Sequence, residues 1–132
     1  MSNHEDLKEL FDRVNGWAMK RSPLVDRRTL QVGCPEIAAR RKDGDVRAFF
    51  HVGHRPGKVC ADPMACQLPE NFLVGLFLHE IGHPLAMRVY RKTEQWDADR
   101  AVKEILGVHI RYGGPLVLEY VAPSVAKRII WR

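Results

Sequence analysis

The segment ENFLVGLFLHEIGHP, residues 70–84, constrains this chain more than any other: it is almost continuously apolar from Phe72 to Leu78 and runs straight into His79, Glu80, His83 and Pro84. An apolar run of this length, with Pro69 suited to a first helical turn, predicts a helix buried on most sides. Two imidazoles and a carboxylate on such a helix are costly to bury without partners, and a metal ion supplies them. On a helix His79 and His83 lie one turn apart on one face, where their rings can hold two corners of one ion. Glu80 points about 100° away round the helix, where its carboxylate reaches a water on the ion more easily than the ion itself. The HExxH spacing therefore predicts a Zn2+ site at His79 and His83, with Glu80 as the general base of a hydrolytic reaction.

A catalytic zinc takes three protein ligands and keeps one position for water. The stretch TEQWDADRA offers Glu94, Asp97 and Asp99 for the third. One of these acids is expected to face the metal. Pro84 lacks the N–H that would bond to the carbonyl of Glu80, so the helix is expected to bend or end just after His83, with PLAMRVYRK looping back to bring the acids over the site. Gly82 leaves one side of the helix bare for a close neighbour, either substrate or another backbone.

Around this centre, Leu7, Leu10, Phe11, Val14 and Ala18 recur at helical intervals, and Ser2 with Glu5 has capping-box spacing, so residues 4–20 read as an amphipathic helix. TLQVG, VRAFFHV and KVCA read as strands, with Asp43-Gly44 suited to a tight turn before the second. A second helix fits TEQWDADRAVKEILG, with Thr93 as N-cap and Gly107 as stop. VHIRY and LVLEYV, joined by GGP, read as a hairpin, and the chain ends in a short basic tail. The fold class is α+β: one domain over residues 1–132, with a short, mainly antiparallel sheet packed on the HExxH helix and the acid-bearing helix, and an N-terminal amphipathic helix.

Composition narrows the partners. A hydrophobic fraction of 45% with 28% charged residues belongs to a folded globular chain. The net charge of +5 is scattered, with no basic run and no aromatic RNA-binding motif, so nucleic acid is not expected as the main partner. Cys34, Cys60 and Cys66 lack paired spacing and read as reduced thiols. A polar N-terminal stretch and the absence of a long apolar run predict a cytoplasmic protein with no membrane partner. His51 and His54 read as surface histidines, and Trp17, Trp96 and Trp131 as packing residues. Tyr90, Tyr112 and His109 are candidate donors to an oxyanion.

HEIGH followed by a helix of the form E..DADRA resembles the ImmA/IrrE-type zincin-like metallopeptidases, small gluzincin-related domains common in phages and mobile elements. The likeness covers residues 70–121; residues 1–60 add little. It implies a zincin-like fold, zinc on His79 and His83, Glu80 as base, hydrolysis of a specific protein or peptide substrate, and a third ligand from the second helix, for which Asp97 is preferred, leaving Asp99 to orient a ligand, with the longer Glu94 as the alternative. The chain departs from the pattern at Gln95, a neutral amide where the family's glutamate stands. That departure and Pro84 leave open an alternative, a metallopeptidase-like fold that has lost catalysis and binds a protein or nucleic acid.

Overall fold

The structure, a computed structural model, describes residues 4–35, 50–52, 58–114 and 117–131. Helix α1, His4–Arg21, buries the predicted stripe of Leu7, Leu10, Phe11, Val14 and Ala18. The stripe faces a second helix, α2, Glu70–Tyr90, and the Phe11 ring meets Phe77 edge-on with centroids 5.2 Å apart. Aromatic quadrupoles favour that geometry, and burying each ring contributes about 1.5–3 kcal/mol. Ser2 and the Asp43-Gly44 turn lie outside the described residues.

Strands β1 (Thr29–Val32), β2 (Phe50–Val52) and β3 (Lys58–Ala61) form a sheet in the order β1-β3-β2. β1 runs parallel to β3 and β2 antiparallel to it, so this sheet is mixed rather than mainly antiparallel. A 3-10 turn at Pro63–Gln67, capped by Asp62 through the Met64 N–H at 2.8 Å, leads into α2. Cys34 and Cys60 are buried, Cys66 is half-buried, and none forms a disulfide. Among the described residues no helix is long and apolar enough to cross a membrane.

Of the expected bend or end just after His83, the end does not occur: the helix continues through Pro84 to Tyr90, and the chain reverses at Arg91, in the left-handed conformation at φ 62°. A proline inside a helix costs about 3 kcal/mol. Leu85 and Ala86, both buried directly after it, offset that cost by anchoring the next turn in the core. The histidines therefore sit in the body of the helix, not at its end.

Helix α3, Gln95–Ala101, continues as a π-helical turn, Val102–Leu106, and stops at Gly107 with φ 73°. Its N-cap is Glu94, not Thr93. Strands β4 (Arg111–Gly113) and β5 (Leu118–Tyr120) pair antiparallel as predicted. The expected basic tail is instead helix α4, Pro123–Ile130, which buries Ala126, Ile129 and Ile130 and leaves Lys127 and Arg128 outside. Three apolar residues at helical spacing outweighed the local charge. Trp96 and Trp131 are also not packing residues, being 67% and 66% exposed, whereas Trp17 is half-buried beneath the Arg21 guanidinium.

Two glycines set how closely the other elements approach α2. A Cβ at Gly75 would stand 2.5 Å from the Tyr120 Cα, and one at Gly82 would stand 2.5 Å from the Ala98 carbonyl oxygen. β5 and α3 thus lie directly on the helix backbone. With 3.6 residues per turn, Gly75, His79 and Gly82 share one side of α2.

Candidate metal centre

The site has three walls: α2 supplies His79, Glu80 and His83, α3 covers them, and the β4–β5 hairpin closes the remaining side. His79 is 2% and Glu80 7% exposed, and His83 is half-buried. The two imidazole centroids are 4.8 Å apart and nearly perpendicular. One ligand atom each from His79, Glu80 and His83 can be chosen so that all lie within 4.8 Å of one another.

Each imidazole is oriented through Nδ1. His79 Nδ1 donates to Asp99 Oδ1 at 2.7 Å. His83 Nδ1 lies 3.0 Å from the Thr93 carbonyl and 2.9 Å from Thr93 Oγ1, whose own hydroxyl donates to the His83 carbonyl. These contacts assign the Nδ1 proton on both rings and orient both Nε2 atoms away from Asp99 and Thr93. Asp99, expected to orient a ligand, stands against His79 Nδ1. Thr93, read as a cap, serves the site instead.

The structure places the acids expected to supply the third ligand, Asp97 and Glu94, at the start of α3. Neither Asp97 nor Glu94 belongs to the group gathered around the histidines. They form a reciprocal capping box at the start of α3: the Glu94 N–H donates to Asp97 Oδ2 at 3.2 Å, and the Glu94 carboxylate accepts from the Asp97 N–H. Free N–H groups at a helix start attract such carboxylates. The α3 side chain that meets the histidines is Gln95, whose Oε1 contacts His79 Nε2.

The hairpin adds two residues that local pattern does not single out as a pair. Tyr112 and Glu119 stand opposite each other in the β4–β5 register, so their side chains share one face. The Tyr112 hydroxyl donates to Asp99 Oδ2, the second oxygen of the carboxylate that holds His79. Glu119 Oε1 lies 3.8 Å from His79 Nε2. The only local signal for Glu119 was an acid inside the apolar stretch LVLEYV. Of the other oxyanion candidates, Tyr90 donates to Glu104, and His109 is exposed beside a surface hollow that Asp99 also lines. His51 lies on β2, and His54 lies outside the described residues.

The electrostatics suit a cation. Burial pulls the His79 pKa down, but the Asp99 hydrogen bond and the charges of Glu80, Glu119 and Asp99 outweigh it and lift the value from 6.5 to about 9. His83 moves the other way, lowered by burial and by the charge of His79. Burial and the bond to Asp99 push the Tyr112 phenol above its usual range. A pair of imidazoles enclosed by three carboxylates holds a proton tightly when no other cation is present. The same nitrogen and oxygen donors, with excess negative charge, fit a divalent cation.

No protein-family model matches the chain, and comparison with curated proteins and with solved structures gave no match.

Proposed function

We propose that this protein is a zinc-dependent, zincin-like metallopeptidase that hydrolyses peptide bonds in a protein substrate. One observation carries the reading: both histidines of HExxH are held through Nδ1, by Asp99 and Thr93, and ligand atoms of both rings and of Glu80 lie within 4.8 Å of one another. Fixing the ring through its far nitrogen is how metal-ligating histidines are commonly oriented. Zinc held there supplies a Lewis acid that polarises the scissile carbonyl and brings the pKa of water to about 7. Glu80 accepts the proton as the water oxygen bonds to the carbonyl carbon, then delivers it to the amine nitrogen as the C–N bond breaks. Asp99 and Thr93 keep the imidazoles in place during these steps.

The test is cleavage of an unfolded protein by zinc-loaded enzyme, with a chelator control and Glu80→Gln at matched zinc content. Loss of about 10²–10⁴-fold in rate with zinc retained is expected for removal of a general base. Undiminished cleavage by Glu80→Gln overturns the mechanism. A second reading, a fold of this type acting as a binding module without catalysis, is favoured by Gln95, a neutral side chain set against His79 Nε2. Zinc binding without any cleavage selects it.

A further inference from the structure

Resting on the zinc reading above, we propose that Glu119, on the hairpin rather than on the second helix, is the third protein ligand of the ion. Each carboxylate around His79 has a distinguishable position. Asp99 is engaged at both oxygens, by His79 Nδ1 and by the Tyr112 hydroxyl. Glu80 adjoins His79 on α2 and is assigned the base. Glu119 approaches the opposite nitrogen, with Oε1 3.8 Å from His79 Nε2 and a side chain only 17% exposed. Two donors on one tetrahedral zinc, at bond lengths near 2.1 Å, stand roughly 3.4 Å apart. The carboxylate needs to move a few tenths of an ångström to share an ion with His79, and because Glu119 lies outside the group of His79, Glu80 and His83 atoms that stand within 4.8 Å of one another, its side chain must also turn toward His83 to complete the site.

The position of Glu119 is built into the backbone. Gly75, one turn before His79, lets the Tyr120 backbone lie against α2. Asn71 fastens the next residue twice, its carbonyl accepting from the Val121 N–H and its Nδ2 donating to the Val121 carbonyl, both at 3.1 Å. On β5 Leu118 turns into the core, and Tyr120 stacks on Phe72 with centroids 5.1 Å apart. Strand alternation then sends Glu119 to the other face, toward the histidines. Gln95, whose residue is exposed and whose side chain is long, can rotate off His79 Nε2 when the ion enters.

The experiment is Zn(II) affinity by competition with a chromophoric chelator, together with the visible absorption of the Co(II) form. Glu119→Gln should weaken Zn(II) by more than the ~10- to 100-fold typical of losing an outer partner, and should shift the Co(II) bands. Adding Gln95→Glu to Glu119→Gln should restore most of the affinity, since both side chains border His79 Nε2. Glu119→Asp keeps the charge but withdraws it by one methylene; its intermediate loss tests the assignment even where Glu119→Gln does not fold. Wild-type affinity and bands in both Glu119 variants, with binding lost in His79→Ala, overturn this ligand while leaving the zinc site standing. A wild-type chain that binds no Zn(II) overturns the site and the ligand together.

Discussion

Gly82 and Ala98 touch so closely that a Cβ on the glycine would stand 2.5 Å from the alanine carbonyl oxygen. This contact sets α3 on α2 at the height of the histidines, and from it Gln95 reaches His79 Nε2 and Asp99 reaches His79 Nδ1. Gly82→Ala should force the helices apart, with a net loss of about 1–3 kcal/mol in stability despite alanine's better helix propensity. Zinc affinity should fall with it. Denaturant midpoints and chelator competition on one preparation check both; an unchanged affinity would mean that α3 does not position the site.

Gly16 gives the opposite expectation from the same substitution. It lies within α1, and nothing stands within 4 Å of a Cβ placed there. Gly16→Ala should raise stability by about 0.5–1 kcal/mol through lower backbone entropy in the unfolded chain, with zinc affinity unchanged. A lower unfolding midpoint contradicts the packing described for α1.

Asp97 and Asp99, two residues apart on α3, should separate capping from metal binding. Asp97→Ala removes one half of the capping box and should cost about 0.5–2 kcal/mol in stability with little effect on zinc. Asp99→Asn should leave the helix intact but lower zinc affinity ~10- to 100-fold, because His79 loses its anionic partner. Thermal melts read with metal titrations distinguish the two. Strong zinc loss in the Asp97 variant would return that residue to the coordination shell.

Opposite pKa shifts at the two histidines predict a pH profile for the metal-free protein. The His79 value is raised from 6.5 to about 9, so the folded state holds a proton that the unfolded state has released, and stability falls as pH rises through that interval. The His83 value is lowered from 6.5, so below that pH the unfolded state binds the extra proton and stability falls as pH drops. The pair contributes most near pH 6.5. Zinc should reverse the alkaline limb, because its binding displaces the His79 proton and strengthens as that proton is lost. Melting temperatures from pH 5.5 to 9.5, with and without zinc, measure both limbs; a metal-free profile flat across this range contradicts the shifts.

Features contained in one element were legible in the sequence. The apolar period of α1 marked the face it buries, and the HExxH spacing paired two imidazoles because residues one turn apart must be neighbours on a helix. Gly107 was legible as a stop because a left-handed terminus favours glycine. Local reasoning failed where a choice depended on what lay across from the residue. Pro84 has the same local effect anywhere in a helix, and burial of Leu85 and Ala86 beyond it carried α2 onward. Asp97 and Glu94 are acids of a suitable helix, yet the rotation of α3 sends them to its own N–H groups and turns Gln95 toward the histidines. Glu119 and Tyr112 reach the site because β5 lies on Gly75 and the hairpin register puts them side by side. The sequence by itself determined which helix carries the histidines and their mutual spacing, since both follow from helical geometry. Only tertiary structure decided the surrounding charges and oxygen donors, because they come from three separate segments whose relative placement depends on glycine-permitted backbone contacts.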